Sequence, residues 1–312
     1  MSSSSESNPT TPILATAIKA LSHILNAFND VLAKYPPLAK THTNYGIGVR
    51  TAYPASPARD ALKKGETPTP YQPVYNVAGV VTSSVWAPGK PPAQSWADPE
   101  SKDIETDIAA QVAAGRKRVM PYGQSLAHQP FEIINNFPAN PMGITGITGR
   151  GELGLWGPNP AADPIIFRMI NAVLCVLLIQ RADGTKQWAF PGGMVDPTDP
   201  TISAAAVREL WEETLLAIAG LSQYSLGPVY NGYVDDARNT DNAWMETNAY
   251  AWFLTDDVPS NKIKLSEGGD GEETLAAKWV PVTPELLEDG KLFASHGAIL
   301  RDAVRKLIQL SA

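Results

Sequence analysis

Cysteine is nearly absent from this sequence, which has one, Cys175, in 312 residues. A single thiol excludes an intrachain disulfide framework and any zinc site built from several cysteines. A net basic charge is absent as well, because 32 acidic residues exceed 25 Lys and Arg and leave a formal charge of −7. Binding to nucleic-acid phosphates favours the opposite balance, so we expect no nucleic-acid partner. We expect a soluble protein in a reducing compartment, either the cytoplasm or the mitochondrion.

Long apolar runs are missing too, so no membrane-spanning helix is expected. The N-terminal stretch Pro12–Lys34 instead repeats its apolar residues at helical spacing, which predicts an amphipathic helix. Three interpretations stay open: a helix docked on its own domain, a helix that joins two copies as a homodimer, or an organelle presequence. Transit peptides are rich in arginine and this stretch has none, which argues against the third. The residues of the apolar face are Leu14, Ile18, Leu21, Leu25, Phe28 and Leu32.

Composition divides the chain into three predicted parts. Residues 1–36 hold the N-terminal helix. Residues 37–165 are rich in Pro, Gly, Ser and Asn, which predicts an irregular α+β cap domain. Residues 166–312 carry regular apolar patterns and predict a more ordered second domain.

The regular patterns of this second domain predict strands around a central helix. The apolar run Ala172–Arg181 and the segment Trp188–Phe190 predict a β-hairpin, because Asp183-Gly184 favours a turn between them. Strands on both sides of a central helix, with another helix at the end, predict an α/β fold with a mixed sheet between helices. The other predicted elements are helices at Thr201–Ile218, Pro284–Glu288 and Ser295–Leu310, and strands at Val229–Val234, Thr247–Leu254 and Ala276–Val282.

The segment Arg208–Glu213, which reads Arg-Glu-Leu-Trp-Glu-Glu, gives the strongest chemical signal. On a helix, its three carboxylates, Glu209, Glu212 and Glu213, fall within an arc of about 100°. Like charges at this spacing repel by a few tenths of a kcal/mol for each pair, and a hard cation such as Mg²⁺ removes that repulsion. At average residue usage, the pattern Arg-Glu-x-x-Glu-Glu arises by chance about 0.004 times in such a chain.

A glycine-rich segment, Pro191–Pro197, precedes this helix. Glycine lets the backbone approach a ligand closely and exposes its carbonyl oxygens, so the two segments predict a pocket for Mg²⁺ that carries a phosphate ester. A solvated acidic helix face is the alternative interpretation. The opposite side of the same helix is apolar, and we expect its residues to face the core: Val207, Leu210, Trp211 and Leu215.

Together these segments resemble the Nudix hydrolases, whose signature runs Gly, five residues, Glu, seven residues, Arg-Glu-aliphatic-x-Glu-Glu. Gly193 and Arg208–Glu213 fit that signature. Asp199 stands where the family has Glu, and one extra residue follows it before Arg208. The resemblance implies an α/β/α sandwich, with residues 166–312 as the catalytic domain.

Beyond the signature, the chain looks like the mitochondrial-type ADP-ribose pyrophosphatases. The same domain serves as the ADP-ribose sensor of melastatin-type cation channels. The likeness covers about Asn140–Leu310, and Pro160 departs from it because that family usually has His there. The segments that carry it are Gly149–Pro164, Phe190–Pro197, Gly232–Thr247 and Ala294–His296.

This resemblance implies Mg²⁺-dependent hydrolysis of ADP-ribose to AMP and ribose 5-phosphate, with Mn²⁺ as an alternative ion. It implies that Arg208 and the three glutamates of this segment are catalytic. It also implies that the metal ligands are the Gly192 carbonyl and the carboxylates of Glu209 and Glu213, with Glu212 either sharing a metal or orienting the attacking water.

The general base is left open by the sequence. Glu267 and Asp270 lie in an acidic, glycine-rich loop where related enzymes keep a catalytic carboxylate. Closure of such a loop could deliver a base to the substrate. A merely solvated loop is the alternative.

Substrate contacts are also implied by the family pattern. Arg238 is expected to bind phosphate in a bidentate fashion and Asp236 to bind ribose hydroxyls, or both belong to a loop held by local turns. His296 either touches the terminal ribose or caps the last helix. The other predicted contacts are Asn239 and Met194, with Trp156, Trp86 or Phe293 as the wall for adenine.

Two other functions remain as alternatives. One is a module that binds ADP-ribose without hydrolysis, as in channel sensors that have lost carboxylates. The other is a Nudix hydrolase of a different nucleoside diphosphate derivative. The intact glutamates of Arg208–Glu213 favour an enzyme.

Overall fold

A computed structural model describes the chain at residues 11–38, 131, 133–134, 137–141, 153–182, 186–196, 198–216, 220–234, 236, 238–240, 242–255, 258 and 274–312. Its main element is a seven-stranded mixed sheet with one long helix packed on each face. The predicted mixed sheet between helices is therefore confirmed.

Nine strands are described, seven of them in the main sheet. Two short strands form a separate antiparallel pair, β1 (Ile133–Ile134) with β2 (Phe137–Pro138). The main sheet contains β3 (Gly157–Ile170), β4 (Val173–Arg181), β5 (Trp188–Ala189), β6 (Gly193–Met194), β7 (Ser225–Tyr233), β8 (Ala243–Leu254) and β9 (Thr274–Pro281). Its order is β5-β4-β3-β8-β7, while β6 pairs with β3 and β9 with β4. β3 and β8 run parallel, and the other pairs are antiparallel.

The predicted boundary between residues 165 and 166 falls inside β3, which is one continuous buried strand. Three prolines, Pro158, Pro160 and Pro164, mask the strand in the sequence, because proline cannot donate to a sheet and is rare in central strands. The tertiary structure overrides this preference by pairing β3 with β8 from Gly157 to Arg168. The remainder of the three-part division stays a prediction.

Helix α4 (Ile202–Thr214) is the predicted central helix, and it begins where the sequence indicates. The Thr201 hydroxyl accepts a hydrogen bond from the Ala204 amide at 3.1 Å and so caps the first turn. The helix ends earlier than predicted, because Leu215 adopts a left-handed conformation with φ of 56°. Residues 284–288, predicted as a short helix, form turns.

The face that α4 buries differs from the prediction. Val207, Trp211 and Leu215 are about half exposed, whereas Leu210 is buried as expected. The buried stripe consists of adjacent pairs four residues apart, which is one side of a helix. Two of the three carboxylates therefore lie on the buried side with the small residues. The stripe is Ala205, Ala206, Glu209, Leu210, Glu213 and Thr214.

The N-terminal segment is a run of short helices instead of one continuous helix: α1 (Pro12–Lys19), α2 (Ser22–Leu25), a 3₁₀ turn at Asn26–Phe28 and α3 (Asn29–Ala33). Serine and asparagine at these junctions favour local turns over helix, which explains the breaks. All six residues of the predicted apolar face are buried, and α1 and α2 pack on the C-terminal helix α5 (His296–Ser311). These contacts agree with the docked-helix interpretation, while the homodimer and presequence interpretations stay predictions. Among the described residues, no helix is long and apolar enough to cross a membrane.

Candidate active site

A cleft of about 530 Å³ opens beside α4 and the glycine loop that precedes it. Its volume lies in the range of about 300–1,000 Å³ that is typical of small-molecule sites. Two groups of residues in its lining differ in chemistry. The carboxylate end contains Gly192, Gly193, Arg208, Glu209, Glu212 and Glu213, and the aromatic end contains Asp163, Arg181, Phe190, Asp236, Phe293 and His296.

The glycine loop approaches the carboxylates as closely as the sequence predicts. A Cβ atom on Gly193 would lie 2.5 Å from Oε1 of Glu209, so any side chain there would collide with the carboxylate. The Gly192 amide donates to Oε2 of Glu213 at 2.7 Å, and the Thr274 hydroxyl donates to Oε1 of the same residue at 3.2 Å. Glu213 thereby joins the glycine loop to the start of β9.

Gly192→Ala should destabilise the protein by about 1–3 kcal/mol and reduce its catalytic activity. The new Cβ would lie 2.8 Å from the Ala162 carbonyl oxygen and 2.3 Å from Oδ1 of Asp163, and backbone cannot yield as a flexible side chain can. Gly297→Ala is the matched control, because its Cβ would meet nothing closer than 3.9 Å. Denaturant unfolding of both variants tests the expectation, which equal stability would contradict.

Arg208 ties the carboxylate end together. Its guanidinium donates to both oxygens of Asp199 at 3.2 and 3.0 Å, to Glu209 and Glu212 at 2.8 Å each, and to the Met194 carbonyl at 3.0 Å. The hydrogen bonds to Asp199, and then the charge of Glu209, raise the pKa of Arg208 above its usual value. Asp199 thus braces the loop although it is one methylene shorter than the Glu of the signature.

His296 begins α5 and lines the aromatic end of the cleft. Its Nδ1 accepts a hydrogen bond from the Phe190 amide at 2.9 Å, so the neutral ring carries its proton on Nε2. The ring stacks on Phe190 at 4.9 Å and meets the edge of Phe293 at 5.9 Å. Burial, and then the charge of Arg181, lower the pKa of His296 to about 3. The neutral side chain can therefore donate a hydrogen bond through Nε2 at neutral pH.

This lowered pKa predicts a pH dependence of stability. As the pH falls from about 6.5 toward 3, unfolded His296 gains a proton that the folded form does not bind, so the free energy of unfolding should fall. One such group adds a slope of at most about 1.4 kcal/mol per pH unit. Denaturant titrations at intervals of about one pH unit between pH 7 and pH 4 measure the free energy of unfolding. Its slope against pH should be shallower for His296→Gln than for the wild-type protein. Identical slopes would contradict the assignment.

Asp236 and Arg238, predicted to contact substrate separately, are paired with each other. Arg238 donates from Nε and Nη2 to the two carboxylate oxygens of Asp236 at 2.9 Å each. Burial opposes ionisation of Asp236, but the charge and hydrogen bonds of Arg238 outweigh it and lower the pKa of the carboxyl. Both residues line the cleft, so the pair presents one prearranged polar surface to a ligand.

Asp163, Arg181 and Thr247 are among the cleft residues that the sequence analysis does not assign to the site. The Thr247 hydroxyl donates to Oδ2 of Asp163 at 2.7 Å across the parallel strands β3 and β8. Burial, partly offset by this hydrogen bond, raises the pKa of Asp163 to about 6. Arg181 lies 4.2 Å above the ring of Phe293. A polar residue inside a buried strand is the signal that would have found Asp163.

Two predicted contacts lie outside the lining of the cleft. Trp156 is 1 % exposed and packs on Phe137 with ring centroids 5.0 Å apart. Asn239 is buried and holds its loop, donating to the Tyr233 hydroxyl and the Val234 carbonyl at 2.9 Å each. Their positions argue against the predicted contact roles, whereas Met194 and Phe293 do line the cleft. Glu267, Asp270 and Trp86 are outside the described residues.

Comparison with known proteins identifies the family of this chain. The model of the NUDIX domain matches residues 158–302, and that of the NUDT9-like N-terminal domain matches residues 71–157. The Caenorhabditis elegans protein "Putative nudix hydrolase 6" is 36 % identical over 228 residues, which cover 69 % of this chain and 83 % of that protein. The chain belongs to the Nudix hydrolase family. The NUDIX match begins at residue 158, near the start of β3, and so lies upstream of the domain boundary that the sequence analysis predicts.

Two further relatives of this Nudix chain carry different names. "ADP-ribose pyrophosphatase, mitochondrial" of Rattus norvegicus is 39 % identical over 205 residues, which cover 56 % of each chain. "Transient receptor potential cation channel subfamily M member-like 2" of Nematostella vectensis is 34 % identical over 285 residues, which cover 81 % of this chain and 17 % of the channel. This chain therefore spans about half the length of the rat protein that it matches.

Nudix enzymes typically use a divalent metal ion, and the donors at the carboxylate end fit one by their chemistry. The carboxylates of Glu209, Glu212 and Glu213 and the Gly192 carbonyl offer only oxygen, which hard divalent cations prefer. Arg208 now bonds to Glu209 and Glu212. Within the described ranges, no three acidic, histidine or cysteine side chains are already arranged around one point. The predicted ligands thus share a cleft, and their joint ligation of an ion stays a prediction.

Proposed function

We propose that this protein hydrolyses the diphosphate of ADP-ribose to AMP and ribose 5-phosphate in the presence of Mg²⁺, with Mn²⁺ as an alternative ion. The observation that carries the proposal is the pair Glu209 and Glu213, buried in the wall of a cleft against a glycine loop. Buried carboxylates four residues apart repel each other, so their position favours a function over stability alone. The rat relative supports ADP-ribose as the substrate.

Hydrolysis requires water to attack one phosphorus of a diphosphate and the bridging P–O bond to break. A bound divalent ion would neutralise charge on the phosphates and make water easier to deprotonate. Arg208 holds Glu209 and Glu212 in place, and Glu213 fixes the Gly192 amide. These contacts preorganise the carboxylate end, which favours catalysis because misplacement of reacting groups is costly. The role of general base is proposed for Glu267 or Asp270.

The aromatic end supports the substrate assignment by its chemistry. His296 provides a neutral donor, the Asp236–Arg238 pair provides both signs of charge, and Phe293 provides an apolar wall. A nucleoside diphosphate sugar has hydroxyls, charge and apolar ring faces that match such a mixture. We propose that the protein acts in the cytoplasm or the mitochondrion, as a monomer or as a homodimer.

The direct test is a panel of diphosphates incubated with the full chain and Mg²⁺, Mn²⁺ or a chelator, with products separated by chromatography. The proposal predicts AMP and ribose 5-phosphate from ADP-ribose with metal and neither product with chelator. Faster cleavage of another nucleoside diphosphate derivative would reassign the substrate. Turnover of none would contradict an enzymatic function.

A binding module that does not hydrolyse its ligand is the second candidate, favoured by the channel relative, which aligns with 81 % of this chain. The same incubation separates the two functions. ADP-ribose that binds in calorimetry and stays intact with Mg²⁺ and with Mn²⁺ would support the module. The three retained glutamates of α4 support the enzyme.

A further inference from the structure

Asp163 is a buried carboxyl. Neither the packing of the strand nor the proposed metal ligands account for a carboxyl at this position. It is 7 % exposed, lies on the central strand β3 and lines the cleft. Within the described residues, Thr247 is its one hydrogen-bond donor, through Oδ2 at 2.7 Å. Burial of a carboxyl with incomplete hydrogen bonding is costly, so an apolar residue would stabilise this strand better.

The glycine loop separates Asp163 from the carboxylates of α4. A Cβ atom on Gly192 would lie 2.3 Å from Oδ1 of Asp163, whereas one on Gly193 would meet Glu209. Asp163 thus packs against Gly192, whose amide also donates to Glu213, whereas Glu209 packs against Gly193. The charges that act on Asp163 are those of Asp236 and Arg181, two residues of the aromatic end.

The aromatic end presents a donor and an acceptor beside apolar rings. Nδ1 of His296 is occupied by the Phe190 amide, which leaves the proton of Nε2 to be donated. Asp163 retains acceptor capacity on Oδ1 beside the loop. A sugar hydroxyl both donates and accepts, and the apolar face of a sugar ring packs on aromatic rings such as Phe293. In contrast, phosphate oxygens only accept, and a carboxylate repels them.

We propose that Asp163 accepts a hydrogen bond from a hydroxyl of the terminal ribose of ADP-ribose and thereby selects for that sugar, an inference that rests on the proposed function. Asp163 then contributes to recognition of the sugar and not of the diphosphate. Thr247 is a positioning residue, because its hydroxyl holds Oδ2 and so fixes the orientation of the carboxyl group. The selectivity arises from β3 and β8 together, which the parallel pairing brings side by side.

Calorimetry on the Glu213→Gln background, which should hydrolyse the ligand at least about 100-fold more slowly, tests this proposal. ADP-ribose and ADP are compared, since they share adenosine and diphosphate and differ in the terminal ribose. Asp163→Ala should weaken ADP-ribose binding about 10-fold or more and change ADP binding by less than about 2-fold. Asp163→Asn keeps the shape and one oxygen, so a smaller loss restricted to ADP-ribose is expected, and it serves if the alanine variant does not fold.

Thr247→Val provides a second readout, since it removes the hydroxyl that orients Asp163 and keeps the side-chain volume. It should weaken ADP-ribose binding less than Asp163→Ala does and leave ADP binding unchanged. Equal losses for both ligands would overturn the proposal, as would unchanged affinity for ADP-ribose. A parent protein that binds ADP but not ADP-ribose would overturn the proposed function as well, and that failure is visible before Asp163 is altered.

Discussion

Glu213→Gln is expected to lower kcat for ADP-ribose by about 100-fold or more while the fold is retained. Glutamine keeps the size of the side chain, its oxygen can accept from the Gly192 amide, and its NH2 group can donate to the Thr274 hydroxyl oxygen in place of the bond that Thr274 now donates. It removes the negative charge that a divalent ion requires. Initial rates at saturating Mg²⁺, together with the melting temperature, measure the effect.

The matched control is Glu285→Gln, because Glu285 is exposed in the turn after β9. That variant loses the same charge and should keep the wild-type rate. A Glu213→Gln protein with near-wild-type kcat would remove Glu213 from the metal site. If Glu213→Gln instead unfolds, the role of Glu213 is structural, as the link between the glycine loop and β9.

Arg208→Lys should lower kcat by about 10- to 100-fold and destabilise the fold by about 2 kcal/mol. Lysine keeps the positive charge, but a single ammonium cannot reach both Asp199 oxygens, two glutamates and the Met194 carbonyl at once. The glutamates then lose their fixed positions. Denaturant unfolding and steady-state kinetics on the same preparation give both quantities.

Asp199→Asn divides the two effects of Arg208. It weakens the bidentate bond to the guanidinium and leaves the bonds to Glu209 and Glu212 unaltered. Asp199→Asn should therefore reproduce a larger share of the stability loss of Arg208→Lys than of its kcat loss. If Arg208→Lys retained full activity, geometry at the carboxylate end would not depend on the guanidinium. A kcat loss in Asp199→Asn equal to that in Arg208→Lys would place the effect in the loop.

Local sequence patterns predict the parts of the site that lie close together along the chain. The glycine loop and the acidic turn of α4 are separated by fewer than twenty residues, and helix geometry alone puts Glu209 and Glu213 on one side. What the helix wheel could not decide is which side faces the protein. Small Ala205 and Ala206 let the helix lie close to the sheet, and this brings the carboxylates into the cleft wall.

The sequence by itself determined the family signature, the order of most strands and helices, and the carboxylate chemistry of the site. Only the tertiary structure placed Asp163 beside Thr247, paired Asp236 with Arg238 and set His296 against the Phe190 amide. The physical reason is that strand pairing and helix docking join residues that are remote along the chain. The register of β3 on β8 and the docking of α5 decide which polar groups meet, and neither follows from local periodicity.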